Sequence, residues 1–175
     1  TPAQEAIRAA FLQMHSRVPL DEINVKQLCQ RAHVARTTFY ANYQNTNDLL
    51  EKIEDGLITD LLKVNDQQAG KEAGCEREFR YTQNLLCFVE ANRFALTVLL
   101  VNQPDVRLIQ KWKTAVKYHF WETLYELANT GDNGLALEMI ASMAVGAYTY
   151  VLQEPNAIPP QEISLKITKA LHSIG

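Results

Sequence analysis

From end to end the apolar residues of this chain recur at three- and four-residue spacing, and no run alternates apolar with polar residues between turn residues. The first pattern draws a stripe along one side of a helix, whereas a half-buried strand requires the second. The expected fold is therefore all-α, with about nine helices. Composition lets such a chain fold unaided: of 175 residues 47% are apolar and 21% charged, and at this length about 70% of the unfolded surface can leave water without disulfides or metals. Three cysteines, Cys29, Cys75 and Cys87, are odd in number and far apart, which excludes a C-x-x-C motif and an even disulfide framework. Cys29, flanked by Lys26 and Arg31, is the one best placed for a reactive thiol. No stretch nears the roughly 18 consecutive apolar residues of a membrane span, and TPAQEAIRAA has no basic or apolar leader region. A soluble, cytoplasmic protein with no membrane partner is expected.

Start and stop signals divide the chain. Thr1-Pro2 is a cap followed by a first-turn proline, after which Ala6, Ile7, Ala10, Phe11 and Met14 share one face of a helix running to about Arg17 and closed by Pro19. Asn24 with Gln27 forms a capping box for a short second helix carrying Val25, Leu28, Cys29 and Ala32. His33-Val34 makes a turn into a third helix over about 35–41, a helix-turn-helix spacing. Leu49, Leu50, Ile53, Leu57, Ile58, Leu61 and Leu62 give a long amphipathic helix that ends in the polar, glycine-bearing stretch 65–74. Beyond it lie a helix with Phe79, Leu85, Leu86, Phe88 and Val89, a short apolar one halted by Pro104, and one with Ile109, Trp112, Val116, Phe120 and Leu127. After TGDNG come two last helices, at about 135–152 and 161–174.

Enzyme chemistry finds no foothold. His15, His33, His119 and His172 are isolated, and the sequence has no H-E-x-x-H, no G-x-S-x-G and no phosphate-binding glycine loop. The neighbourhood of Tyr118, His119 and Glu122 is a common one on solvated helices. No catalytic residue, metal or cofactor is expected.

The most specific segment runs from Asn24 to Leu50, NVKQLCQRAHVARTTFYANYQNTNDLL. A short helix displaying Arg36, Thr37, Thr38 and Asn42 carries hydrogen-bonding groups of a size to reach base edges in a major groove about 12 Å wide. Arg36 can contact a guanine bidentately, worth about 1–3 kcal/mol of discrimination, and Thr37 can offer its methyl to thymine. Phe39 reads as core. The TFY triplet, the aromatic three residues on and the N-x-x-DL that follows resemble the DNA-binding domain of the TetR/AcrR family of bacterial transcription regulators. Asn24, Val25, Leu28, Ala32, Val34, Thr38, Phe39, Tyr40, Tyr43, Asn45, Asp48 and Leu49 fall in its register. The resemblance implies phosphate contacts at Tyr40 and at the start of the second helix, and a DNA-contacting set of Asn24, Val25, Arg36, Thr37, Thr38, Tyr40, Asn42 and Thr46.

Three positions depart from the family pattern. His33 stands where glycine is common, Ala35 where a serine caps the third helix, and Thr46 where a lysine contacts phosphate. A missing N-cap costs about 1 kcal/mol and a missing lysine about one phosphate charge. DNA binding weaker or more salt-sensitive than usual follows, or a contribution from an arm preceding Thr1. The net charge of −3 is no objection. Residues 1–48 hold five basic side chains against four acidic ones, and the surplus acid lies in the remainder. Affinity must then rest on placed contacts rather than bulk charge.

For the rest of the chain the resemblance implies dimerisation through a four-helix bundle of the last two helices of each subunit, and an effector enclosed by the middle helices. Ala141, Ser142, Ala144, Gly146 and Ala147 are small enough for close helix approach, and Ile163, Ile167, Leu171 and Ile174 form an apolar stripe; packing within one subunit explains both equally well. GAYTYVLQEPNAIPPQEIS is similar to the C-terminal region of the subset that regulates dihydroxyacetone metabolism. Phe88, Trp112, Phe120 and Tyr148 can wall a pocket with Tyr81 or His119 as its polar handle, although aromatics at helical spacing are also ordinary core.

The expectation is a homodimeric, ligand-responsive regulator, a repressor by the family default. Residues 1–46 would be its helix-turn-helix DNA-binding domain, and 47–175 its regulatory domain for a small-molecule effector and dimerisation. It would read a pseudo-palindromic double-stranded DNA operator with half-sites about 34–36 Å apart. The competing expectation is a dimeric helical interaction protein whose degenerate helix-turn-helix no longer binds DNA.

Overall fold

The computed structural model describes residues 1–66, 75–125 and 133–172, and its regular elements there are all helical, as expected. In chain order they are α1 (Pro2–His15), α2 (Val25–Arg31), α3 (Arg36–Tyr40), α4 (Thr46–Asp66), α5 (Cys75–Ala91), α6 (Arg93–Thr97), α7 (Val106–Tyr125), α8 (Asn133–Gln153) and α9 (Pro160–His172). A 3₁₀ turn at Leu20–Glu22 fills the link after α1. Of the expected breaks at 65–74 and at TGDNG (130–134), residues 67–74 and 130–132 lie outside the described residues, while α4 continues through 65–66 and α8 already begins at Asn133.

Caps set the early boundaries. Thr1 and Gln4 form a reciprocal capping box around Pro2, and α1 stops at His15, short of Arg17, because Ser16 takes the C-cap and turns its hydroxyl to Gln13 O at 2.9 Å. Asn24 Oδ1 accepts the Gln27 N–H at 2.9 Å to start α2. At seven and five residues, α2 and α3 are far too short to persist alone. They persist by burying Leu28 and Phe39 at 0% exposure against Ile7 and Phe11 of α1 and Leu49 and Ile53 of α4, also 0%. Each such side chain contributes about 1.5–3 kcal/mol.

The same stripe of α4 continues through Leu57 and Leu61 into the second half of the molecule, where α4 packs on α5 and α7, α7 on α8, and α5 on α9. α6 runs into a widened turn at Val98–Asn102, with Gln103 N on Val98 O at 2.8 Å. Pro104 follows, and Asp105 then caps α7 through the N–H groups of Arg107 and Leu108. α8 is apolar on most of its circumference: its mean hydropathy is 1.5 over an 18-residue window, long and apolar enough to cross a membrane by length and composition alone. Only 44% of that window is buried.

Candidate nucleic-acid interface and regulatory core

The turn between α2 and α3 is built as the sequence suggests. His33 takes φ 54°, the one non-glycine residue with positive φ among the described residues, and Val34 N returns to Cys29 O at 3.0 Å. This is the helix ending that glycine usually serves, and the left-handed backbone costs histidine about 1 kcal/mol. Ala35 occupies the N-cap of α3 without a side-chain hydrogen bond.

On α3 the inner side is fixed and the outer side is bare. Phe39 lies edge-on to Tyr40 and tilted on Tyr43, both with ring centroids 5.4 Å apart. Arg36 and Thr37 are exposed, Tyr40 is 52% exposed and Thr38 half-buried. Asn42, expected among the base-reaching side chains, turns inward instead. Its Nδ2 donates to Thr38 O at 2.8 Å and its Oδ1 accepts from Gln4 Nε2 at 3.0 Å, because the end of α3 faces α1. Asn24 is engaged as the cap of α2, with Val25 half-buried at its first position. Thr46, half-buried, opens α4.

The N-x-x-D pair serves the start of α4. Asn45 Oδ1 accepts the Asp48 N–H at 3.0 Å, and Asp48 Oδ2 accepts Gln44 N at 2.8 Å and Lys52 Nζ at 3.1 Å. The Gln44 N–H and then Lys52 hold the Asp48 carboxyl below its usual range. Lys52 also donates to Asn42 O at 2.8 Å and sits 5.2 Å over the Tyr43 ring, so it clamps the end of α3. Its spacing from Asp48 was the only signal for it. With Arg8, Gln4, Asn42 and Tyr43 it lines a cleft of about 260 Å³. Cys29 is buried and burial pushes its thiol up, against the pull of Arg36, which makes it a core residue rather than a reactive one.

Four of the residues expected to line a pocket come together between α5, α7 and α8. Phe88 meets Trp112 edge-on at 5.9 Å, Trp112 stacks on Tyr148 at 6.3 Å, and Tyr148 Oη donates to Thr82 O at 3.0 Å. Tyr81 and Tyr148 are buried, and that burial pushes both phenols up. Trp112 Nε1–H and Ser164 Oγ are buried without a hydrogen-bond partner among the described residues. The side chains of His119 and Phe120 lie outside those described. A separate groove of about 680 Å³ between α4 and α7 has Ile58, Leu62, Ala115 and Tyr118 among its walls, a feature the sequence pattern did not reveal.

The residues expected to mediate self-association divide into two groups. Ala141, Ala144, Ile163 and Ile167 pack inside the subunit, where Thr82 Oγ1 meets Thr168 Oγ1 at 3.0 Å between α5 and α9. Leu171 and Ile174 lie outside the described side chains. Ser142 and Gly146 face outward, and with them are Leu135 (59% exposed), Met139 (48%) and Tyr150 (47%) of α8 and Leu165 (44%) of α9.

No family model and no curated protein matches the chain. Solved structures do. The fatty acid degradation regulator FadR of Bacillus halodurans superposes with a TM-score of 0.79 at 14% identity, over 100% of this chain and 96% of that one. The transcriptional regulator FadR of Bacillus subtilis, in complex with stearoyl-CoA, gives 0.75 at 15% identity, over 98% of each chain. A TetR transcriptional regulator of Streptococcus agalactiae gives 0.71 at 17%, over 97% of this chain and 93% of that one. Likeness over the whole length, with a helix-turn-helix at one end, establishes that this chain has the fold of the TetR-type transcription regulators.

Proposed function

We propose that the chain is a homodimeric, effector-responsive DNA-binding transcription repressor, with residues 1–46 as its DNA-binding domain and 47–175 as its regulatory domain. The observation that carries this reading is the outer face of α3: Arg36, Thr37 and Tyr40 stand exposed on a helix whose inner side is locked by Phe39. Arg36 reads a guanine and Thr37 a thymine methyl. Tyr40, Asn24 and Val25 hold phosphates, with Thr38 and Thr46 at the edges of the contact. Asn42 acts by anchoring α3 to Gln4.

A second copy packs on the exposed apolar side of α8 and on Leu165 of α9. A helix that is apolar all round needs cover on both sides, and one subunit supplies only one. The effector binds at the Phe88–Trp112–Tyr148 cluster, where Trp112 Nε1–H is a donor without an acceptor. The stearoyl-CoA held by the Bacillus subtilis regulator supports an effector with a long apolar part. By preferring one of two states, it shifts α4 and changes the distance between the two α3 helices.

Selection of duplexes from a random pool at low salt tests the reading. Enrichment of a palindrome with half-sites about 34–36 Å apart is the expected result. No enrichment overturns it in favour of a helical dimer that has lost DNA affinity. Arg36→Ala should then relax preference at one position of each half-site, at about 1–3 kcal/mol, whereas Tyr40→Phe should weaken all sequences evenly.

A further inference from the structure

α4 carries, in its middle turn, a carboxyl that none of these roles uses. Glu54 is 0% exposed, and Arg107 Nη2 lies 3.0 Å from its Oε1 and Lys111 Nζ 3.0 Å from its Oε2. The arginine contact is an ion pair by distance only, and Oε1 has no hydrogen bond among the described residues. Both cations are shared: Arg107 Nη2 is also 3.4 Å from Asp105 Oδ2, and Lys111 Nζ 2.6 Å from Asp55 Oδ1. Asp105 is the acceptor within reach when Glu54 bears a proton. Around this group stand Glu51 on α4, which acts on Arg107, and His15 at the end of α1, which feels Asp105. Asn102 Nδ2 donates to Ser16 O at 3.4 Å, so α1 also reaches this corner.

In direct ion contact, Glu54, Asp55 and Asp105 share only Arg107 and Lys111, an excess of one negative charge to which Glu51 adds, and Glu54 is closed off from solvent. Keeping a proton is cheaper there than burying an unbalanced charge. Desolvation accordingly pushes the Glu54 carboxyl up, against the pull of Lys111 and Arg107. Asp105, though itself desolvated, is held below its usual range by Arg107 and by the N–H groups it caps.

We propose that Glu54 is a proton-operated latch between α4, which carries the helix-turn-helix, and α7: one proton in the Glu54–Asp105 pair keeps the joint neutral and closed, and its loss lets the two helices part. Regulation of the proposed DNA-binding head is thereby tied to the protonation of one buried carboxyl, and in that respect the inference rests on the function proposed above. The sign follows from linkage. Glu54 in the opened joint is solvated and ordinary, and in the closed joint it is raised, so the closed state takes up the proton. Closure is favoured at low pH and lost as pH rises through the raised value, by at most about ten-fold per pH unit for one proton.

Hydrogen exchange of the full chain from about pH 4, near the ordinary carboxyl range, to about pH 8, corrected for intrinsic exchange rates, reads the latch without DNA or effector. Protection of amides around Glu54 and in α1–α3 should fall as pH rises. Glu54→Gln keeps the size and hydrogen-bonding capacity but not the charge, and it should hold the acid-side protection throughout. A flat wild-type profile overturns the proposal, as does a slope that survives in Glu54→Gln, which would belong to His15. Equal loss of protection at every pH, reaching α8 and α9, overturns it by making Glu54 a packing residue. A slope in α4 that never reaches α1–α3 overturns the link to the head. A full-range slope in a protein that selects no palindrome leaves the latch standing and removes only the DNA-binding reading.

Discussion

The first three helices and the α7–α9 side of the molecule distribute polar and apolar groups in opposite ways. Among the exposed large apolar and aromatic residues, Tyr40 is the only one in α1–α3, whereas Leu135, Met139, Tyr150 and Leu165 line the outside of α8 and α9. Inside, the order is reversed: Phe39 sits among the buried Ile7, Phe11, Leu28, Leu49 and Ile53, while Trp112 Nε1–H and Ser164 Oγ are buried without partners among the described residues. An unanswered buried polar atom costs about 1–3 kcal/mol. The first three helices, closed by Leu49 and Ile53 of α4, therefore bury their apolar side chains and leave polar ones outside. The α7–α9 side has apolar surface outside and unused hydrogen-bonding capacity within.

The sharpest way to break this contrast is at Phe39. Phe39→Ala should cost about 3–5 kcal/mol and melt α2 and α3, since Phe39 is the one buried side chain of α3. Its neighbour Tyr40→Phe, half exposed, should stay within about 0.5 kcal/mol of wild type in a denaturant titration. Similar costs for the two would show that the head is not held by its inner face.

At the other end, Met139→Glu places a charge in the middle of the exposed side of α8. Subunit stability should change little, because Met139 is 48% exposed in the subunit. Association should weaken by several kcal/mol, giving monomers at micromolar concentration in sedimentation equilibrium. A dimer that survives this change uses another face.

Legibility in the sequence follows the same division. The head could be read because its signals are local: Asn24 caps the residue three places on, Asn45 does the same for Asp48, and Phe39 falls on the inner side of its own short helix. The inward turn of Asn42 is not legible in that way, because its partner Gln4 lies 38 residues away. In the body nearly everything that matters is of that second kind. A stripe such as Ile163–Ile167 announces that it will be covered but not by what, and the cover is α5 of the same subunit. Glu54 reads as part of the polar face of an amphipathic helix, and only the approach of Arg107 and Lys111 from α7 makes it a buried ion.

Trp112→Phe sharpens the picture of the body at intermediate size. It removes a donor that has no acceptor, so its desolvation cost, about 1–3 kcal/mol, is recovered and offsets the loss of part of the indole packing. A melting temperature within a few degrees of wild type is the expected outcome. A loss comparable to Phe39→Ala would mean that the indole N–H is answered in the folded subunit and that the core carries no spare donor.

The smallest effect lies at the start of α3. Ala35 already has the backbone of an N-cap, φ −71° and ψ 147°, and lacks only an oxygen. The hydroxyl introduced by Ala35→Ser can accept the N–H of Thr37 or Thr38, which is worth about 0.5–1 kcal/mol. In a helix of five residues that is a large share of the local hydrogen bonding, so protection of the α3 amides should rise about two- to five-fold. Amides of α8 and α9 should not change. If α3 exchanges as before, its first turn is held by the burial of Phe39 and not by hydrogen bonds at its end. The missing cap would then carry no penalty for presenting Arg36 and Thr37, and any weakness of the proposed DNA binding would trace to Thr46 and the thin positive charge of the head.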